Sequence, residues 1–190
     1  MESITRALLK MAPLTDEDII NFTGITTKKQ LNKGDYWIEA GKKNNQVGFI
    51  EEGYLRKYYL KDGCEITDYF YFENDFTADI PSIINNDSPV AFIIAMSKSL
   101  LITFPYDEFN ILCKTSPRLE HLHRLMIEMT FLRYYERTVS FITQTVKERY
   151  DRLIDSRPDI LQRAAQHHIA SFLGISPQHL SRIRRKNNSS

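Results

Sequence analysis

The chain of 190 residues contains little cysteine and no long apolar run, and both shortages limit what it can be. Cys64 and Cys113 are too few to build a disulfide framework. The longest apolar runs, such as Val90 to Met96, are far shorter than the ~20 residues that a membrane-spanning helix needs. Residues 1–13 lack the apolar core and the small-residue cleavage site of a secretory signal. We therefore expect a cytoplasmic protein with no membrane partner.

Histidine is absent from the region whose pattern is typical of β-structure, and this argues against a metal-dependent enzyme of the cupin type. Such enzymes bind their metal with two or three histidines and a carboxylate on the strands. Here His121 is the first histidine, and His121, His123, His167 and His168 lack metal-ligand spacing to carboxylates. The sequence shows no nucleophile elbow, phosphate-binding glycine-rich loop or Ser-His-Asp pattern. It therefore predicts no catalytic residue, no metal site and no cofactor.

The net charge of +1 hides an uneven distribution of charged residues. Residues 1–148 contain 17 Lys and Arg against 21 Asp and Glu, whereas residues 149–190 contain 8 against 3. A basic segment attached to a mildly acidic body suggests that one part of the chain contacts a polyanion. A solvated basic surface would give the same distribution, so charge alone leaves both interpretations open.

The hydrophobic pattern changes twice along the chain. Residues 4–22 predict two short helices separated by Pro13. From Lys28 to Tyr106, segments rich in Val, Ile, Tyr and Phe alternate with turn signals, at the spacing of a β-roll or jelly roll. From Pro117 onward the period is helical, with Ser116 as the expected N-cap. The predicted fold class is α+β: a β-roll sensor-like domain at 1–115, a long helix at 116–146 and a helical domain at 147–190.

The predicted long helix has two apolar faces. One face carries Leu122, Leu125, Met129, Leu132, Val139 and Val146, and the other carries Ile127, Phe131, Tyr134, Tyr135, Phe141 and Ile142. One face can pack on the β-roll, and the second is most simply buried against the same helix of another subunit. We therefore expect a homodimer formed through the helix at 116–146, with a wholly internal helix as the alternative.

The stretch from Gln166 to Lys186 has the layout of a helix-turn-helix unit. Gly174 allows the left-handed backbone that closes the first helix, and Ser176 and Pro177 suit the start of the second. The second helix has no acidic residue, and Arg and Gln side chains can pair with guanine and adenine edges. We predict that it binds double-stranded DNA through Ser176, Pro177, Gln178, His179, Ser181, Arg182, Arg185 and Lys186.

These motifs together resemble the Crp/Fnr family of transcription regulators. The matching stretches are KGDYWIEAG (Lys33 to Gly41), VGFIEEGYLRKY (Val47 to Tyr58), KERYDRL (Lys147 to Leu153) and IASFLGISPQHLSRIRRK (Ile169 to Lys186). The resemblance implies a cyclic-nucleotide-binding-type β-roll, a dimerisation helix, a DNA-binding helix-turn-helix and RNA polymerase as a further partner. It also implies that Pro177, Gln178 and Arg182 face bases in the major groove, while Ser176 and Arg185 contact phosphates.

The sequence departs from the family in two places. Members that bind cyclic AMP hold it with a Gly-Glu pair after a Phe and with an Arg followed by Ser or Thr. Aligned on Phe76, the first pair is Ala78-Asp79 here and the second is Pro89-Val90. Because proline cannot neutralise a phosphate, we expect no response to cyclic AMP. The sequence also ends soon after the second helix of the helix-turn-helix, so we expect no β-hairpin wing.

The effector, if the β-roll has one, is an unknown small molecule. Candidate pocket residues are Tyr69, Tyr71, Phe76 and Asp79, although aromatic residues that alternate on a strand are also typical of an ordinary core. An iron–sulfur cluster is not expected, because the chain has only two cysteines. As an alternative function, the helix-turn-helix could dock another protein instead of DNA.

Overall fold

The computed structural model describes residues 2–187, with side chains described up to Arg185. The described chain forms two compact units. The first consists of the residues up to Lys57 together with Phe70–Met129. The second consists of Tyr58–Tyr69 together with the residues from Thr130 onward.

The elements follow the order predicted from the sequence. Two short helices, α1 (Glu2–Met11) and α2 (Asp16–Gly24), precede the strands. The strands are β1 (Thr27–Leu31), β2 (Tyr36–Ile38), β3 (Gln46–Glu52), β4 (Leu55–Lys61), β5 (Cys64–Tyr71), β6 (Phe76–Thr77), β7 (Phe92–Ala95) and β8 (Ser99–Pro105), with helix α3 (Ile80–Asn85) between β6 and β7. The helices that follow are α4 (Tyr106–Thr115), α5 (Pro117–Thr143), α6 (Val146–Ser156), α7 (Ile160–Arg163), α8 (Gln166–Leu173) and α9 (Pro177–Asn187).

The strands form two four-stranded sheets, in the order β1-β8-β3-β6 and β2-β7-β4-β5. Strand β8 is antiparallel to both of its neighbours, β1 and β3. Gly48 of β3 lies where a Cβ would be only 3.0 Å from Leu101 and 3.1 Å from Trp37, so a larger residue would require these side chains to move by a few tenths of an ångström. This architecture confirms the predicted α+β class with a β-roll.

The apolar core of the first unit combines strands β3 and β8 with helices α1, α2, α4 and α5. Phe22, Phe104 and Phe109 are buried and meet edge to face, with ring centroids 5.0 to 5.6 Å apart. Burying each such side chain contributes about 1.5 to 3 kcal/mol. Leu119 and Leu122 of α5 belong to the same buried cluster, so the start of the long helix packs on the β-roll as expected.

The start of α5 agrees with the sequence pattern, but its end does not. Ser116 Oγ accepts a hydrogen bond from Leu119 N at 3.4 Å, which confirms the predicted N-cap. The helix ends at Thr143, not at residue 146, because Thr145 caps a new helix: its Oγ1 accepts from Glu148 N at 3.3 Å and its N donates to Glu148 Oε2 at 2.7 Å. Val146 therefore begins α6 and does not continue the apolar seam of α5. The division of the chain at 1–115, 116–146 and 147–190 stays a prediction.

The structure also describes the length of the apolar helices and the state of the two cysteines. Among residues 2–187, no helix has an apolar stretch long enough to cross a bilayer. Cys64 is exposed, Cys113 is buried, and both thiols are free. Burial, with a smaller contribution from the charge of Glu120, raises the pKa of Cys113 to about 11. That thiol is therefore protonated at neutral pH and unreactive.

Candidate nucleic-acid interface

Helices α8 and α9 are joined by a tight turn at Gly174. The backbone of Gly174 is left-handed, with φ +72° and ψ 34°, a conformation that glycine adopts without steric cost. Ile175 N donates to Ala170 O at 3.0 Å, and Gly174 N donates to Ser171 O at 3.1 Å. These bonds satisfy carbonyls at the end of α8 that have no partner within the helix. The turn predicted from the sequence is confirmed.

The start of α9 is fixed by Ser176 and Pro177. Ser176 Oγ accepts a hydrogen bond from His179 N at 3.2 Å, and Ser176 O accepts one from Leu180 N at 3.1 Å. Pro177 occupies the first helical position, where its missing N–H would have had no partner within the helix. Both local predictions hold, so the direction in which α9 leaves the turn is set by the sequence around it.

One side of α9 packs on α8 and the opposite side is open. Ile169, Ala170, Leu173 and Leu180 are fully or almost fully buried, while Phe172 and Ile183 are half-buried at the edge of this contact. Ala170 is the small residue expected where the two helices cross closely. Because the apolar side of α9 faces α8, its polar side is available to a ligand.

Seven of the eight residues predicted to contact DNA have exposed side chains. Ser176, Pro177, Gln178, His179, Ser181, Arg182 and Arg185 are exposed. Pro177, Gln178, Ser181, Arg182 and Arg185 line one shallow depression of about 380 Å³. Lys186 is helical, but its side chain lies outside the described residues. No acidic residue follows Asp159 in the sequence, so nothing along α9 repels a phosphate backbone.

Two arginines that the sequence analysis did not single out hold the end of α8. Arg137 Nη2 donates to Phe172 O at 3.2 Å, and Arg149 Nη2 donates to Leu173 O at 3.1 Å. A cation at the C-terminus of a helix also interacts favourably with the helix dipole. Arg137 and Arg149 therefore position the turn that carries α9. Nothing in the local sequence indicated this role, because their partners lie 24 to 35 residues further along the chain.

A second contact joins α8 to the hairpin of β4 and β5. Ser171 Oγ accepts from Thr67 N at 2.9 Å and donates to Glu65 O at 3.1 Å. Arg137 Nε lies 3.3 Å from Asp68 Oδ1 of the same hairpin. The helix-turn-helix is thus tied by polar contacts to a strand pair more than 100 residues away in sequence.

The candidate effector residues have the following surroundings. Tyr71 is buried, Phe76 packs against Phe49 with ring centroids 5.1 Å apart, and Tyr69 lies beneath the guanidinium of Arg133, 4.6 Å from the ring centroid. Asp79 is buried and its Oδ1 is 2.9 Å from Lys57 Nζ. Phe76 thus belongs to an aromatic pair and Asp79 to an internal ion pair, and a pocket formed by the four residues stays a prediction.

Comparison with known proteins agrees with this geometry. Residues 28–116 match the family model of the cyclic nucleotide-binding domain. A comparison with curated protein sequences found no match. Among solved structures, FixK2 from Bradyrhizobium japonicum is similar with a TM-score of 0.70 and 13% identity, over 87% of this chain and 85% of that chain.

Two further structures are similar over most of their length. The c-di-GMP responsive global regulator CLP from Xanthomonas campestris has a TM-score of 0.69 and 14% identity, over 92% of each chain. A protein from Eubacterium rectale described as a Crp/Fnr-family transcriptional regulator has a TM-score of 0.69 and 17% identity, over 93% of this chain and 85% of that chain. The chain has the Crp/Fnr fold. The resemblance stated from the sequence is confirmed at this level.

The positions that the family resemblance aligns with the Arg-Ser pair of cyclic AMP binders are Pro89 and Val90. Pro89 is buried and its carbonyl accepts a hydrogen bond from Gly41 N at 2.8 Å. Val90 is 74% exposed. Asp79 does not cap helix α3, although it directly precedes that helix, because its carboxylate pairs with Lys57.

Several histidines of the chain contact a neighbouring ring. Within residues 2–187, no group of three His, Cys, Asp or Glu side chains could hold a metal ion. His123 Nε2 lies 3.0 Å from Tyr106 Oη, and burial lowers the pKa of His123. The ring centroids of His167 and His168 are 3.9 Å apart. These contacts are those of packing and helix-start residues.

Proposed function

We propose that this protein is a homodimeric, sequence-specific DNA-binding transcription regulator of the Crp/Fnr type that does not respond to cyclic AMP and is not an enzyme. One observation carries the proposal: an acid-free helix, α9, presents Gln178, Ser181, Arg182 and Arg185 on an open face while its other face is buried against α8. The proposed location is the cytoplasm.

The spacing of these side chains suits a major groove. Residues three, four, seven and eight apart lie on one side of a helix, so Pro177, Ser181 and Arg185 form one row, flanked by Gln178 and Arg182. An arginine can donate two hydrogen bonds to a guanine edge, and a glutamine can pair with adenine. Family resemblance assigns Pro177, Gln178 and Arg182 to bases and Ser176 and Arg185 to phosphates.

The exposed side chains of α5 support a dimer. Phe131, Leu132 and Ile142 are 64%, 51% and 77% exposed in the single chain. Large apolar side chains grouped on one helix are typical of a surface that another protein covers. In a two-fold dimer built on α5, the two α9 helices would enter successive major grooves about 34 Å apart on an inverted-repeat site. Whether the regulator activates or represses would then depend on where that site lies relative to RNA polymerase.

Two observations support the absence of a cyclic AMP response. A cyclic nucleotide needs a cation for its phosphate, and the positions aligned with the family's Arg-Ser pair are the buried Pro89 and the exposed Val90. The nearby cation, Lys57, is 1% exposed in its side chain and is already paired with Asp79. An effector for the β-roll, if one exists, is a different small molecule.

Selection of bound DNA from a random library tests the proposal, because a two-fold regulator should enrich an inverted repeat. On that site, Arg182→Ala is expected to cost about 1 to 3 kcal/mol of specific binding, measured by gel shift at fixed salt. The matched control is Arg163→Ala, which removes a cation of the same unit that pairs with Asp159 at 3.2 Å on α7. If the two variants bind the selected site with equal affinity, Arg182 does not read a base. Failure to enrich any site would favour the alternative, a helix-turn-helix that docks another protein.

A further inference from the structure

The second unit also contains a cavity of about 260 Å³, and the lining of this cavity is rich in arginine. It lies among the end of α5, helices α6 and α8, and the end of strand β5. Its charged lining residues are Arg133, Arg137, Arg149, Arg152 and Glu136. Glu136 already forms an ion pair with Arg152, since its Oε2 is 2.6 Å from Arg152 Nη2. With Asp68, which pairs with Arg137, the cluster still carries a net charge of +2.

The two innermost arginines are held close together. Arg137 and Arg149 lie over the same ring, with their guanidinium carbons 5.0 Å and 4.5 Å from the centroid of Phe141. Burial lowers the pKa of Arg137, the charge of Asp68 raises it, and the charge of Arg149 lowers it further. Like charges placed together in a partly buried site repel each other, and an anion placed between them would relieve that repulsion.

Polar atoms in this cluster are also left without a partner. Arg149 Nε, Gln144 Oε1 and Asp68 Oδ2 are buried and make no hydrogen bond within the described part of the chain. A buried polar atom without a partner costs about 1 to 3 kcal/mol. The Arg149 guanidinium is anchored by Nη1 to Gln144 O at 2.8 Å and by Nη2 to Leu173 O at 3.1 Å, while its buried Nε has no partner among the described residues.

From the net positive charge, the geometry of the arginines and the unpartnered Arg149 Nε donor we infer that the cavity is a binding site for a small phosphate monoester, held chiefly by Arg137 and Arg149; the unpartnered oxygens of Gln144 and Asp68 are acceptors and do not contribute to this argument. Guanidinium groups match phosphate oxygens in geometry as well as charge. A phosphate monoester has a second pKa of about 6 and carries nearly two negative charges at neutral pH, which balances the cluster. A cyclic phosphodiester carries only one charge and is therefore a poorer ligand. The site is separate from the open face of α9 and does not depend on DNA binding.

The test is calorimetric titration of the full chain with inorganic phosphate at pH 7.5 and constant ionic strength. We expect saturable binding of one phosphate per chain. Arg149→Gln and Gln144→Glu should each raise the dissociation constant at least tenfold. Gln144→Glu keeps the shape of the side chain but puts a carboxylate in the cavity, so it tests the site even if Arg149→Gln destabilises the fold. Arg163→Gln, outside the cavity, should leave the constant unchanged.

Three results would overturn the inference. The first is the absence of saturable binding, and the second is an equal dissociation constant for phosphate in the wild type and all three variants. The third is tighter binding of malonate than of phosphate. Gel shifts on the same preparations separate this failure from failure of the proposed function. A protein that binds its DNA site but not phosphate lacks only the anion site. A protein that binds phosphate but no DNA keeps the anion site and loses the proposed role in transcription.

Discussion

At the scale of single residues, the buried ion pair of Lys57 and Asp79 bears on whether Lys57 could bind the phosphate of a cyclic nucleotide. Nζ and Oδ1 are 2.9 Å apart, and the side chains are 1% and 7% exposed. Separating a buried pair leaves an uncompensated charge and costs about 3 to 5 kcal/mol. A cyclic nucleotide that took Lys57 as its phosphate partner would have to offset that cost before it gained any affinity.

We therefore expect no saturable heat when cyclic AMP is titrated into the protein at micromolar concentrations. The physical reason is that Pro89 and Val90 supply no cation, and that Lys57 is already neutralised. The protein used should first be shown to shift its selected DNA site, so that a negative result cannot come from unfolded material. A dissociation constant in the micromolar range or tighter would contradict the prediction.

The residue scale is also where the sequence was least informative. The exposed residues of α9 could be placed from helical period and from the acid-free composition alone. Arg137, Arg149 and Ser171 could not, because each acts through a backbone group brought close only by the fold. The pocket of Tyr69, Tyr71, Phe76 and Asp79 stays a prediction, because the alternation of side chains along a strand does not distinguish a residue that lines a pocket from one that packs in the core.

At the scale of elements, local hydrogen bonding explains most of the boundaries. Ser116, Ser176 and Gly174 each start or stop a helix through bonds to residues within five positions, and such short-range chemistry is visible in sequence. The end of α5 was misplaced because the heptad pattern continues to Val146 while the Thr145 capping box begins a new helix. Periodicity alone does not reveal a break between two helices whose apolar residues share one spacing.

Gly174 gives a sharp test at this scale. Its backbone is left-handed, and a Cβ added there would lie 2.9 Å from Phe141 Cε1. Gly174→Ala should therefore destabilise the protein by more than the roughly 1 to 2 kcal/mol of a left-handed backbone alone, as measured by denaturant unfolding. It should also weaken DNA binding, because α9 leaves from this turn.

The matched control is Gly63→Ala. Gly63 has a similar φ of +75°, but nothing lies within 4 Å of its added Cβ, so this variant has the backbone cost without the clash. Replacing Phe141 by Ala in the Gly174→Ala background should recover the difference between the two variants. Equal destabilisation by Gly174→Ala and Gly63→Ala would show that the contact with Phe141 does not constrain the turn.

At the scale of the whole molecule, a single copy leaves the second half of α5 unusually apolar for a surface helix. Phe131, Tyr135 and Ile142 are four and seven residues apart, so they form one stripe, and the rings of Phe131 and Tyr135 stack with centroids 6.2 Å apart. The three side chains are 64%, 56% and 77% exposed. The first half of α5 behaves differently, because Leu119 and Leu122 are buried in the β-roll core.

This stripe is the expected dimer interface of the proposed regulator. In the double variant Phe131→Glu and Ile142→Glu, four carboxylates would meet across the two-fold axis. We therefore expect this variant to be a monomer, as measured by light scattering after gel filtration. Linking two DNA-binding modules raises overall affinity by about a hundredfold or more, so affinity for the inverted repeat should fall by that order. Val90→Glu changes a side chain that is equally exposed, at 74%, but lies outside α5, and should leave both properties unchanged. A wild-type monomer, or a double variant that remains dimeric with full affinity, would refute an interface on this stripe.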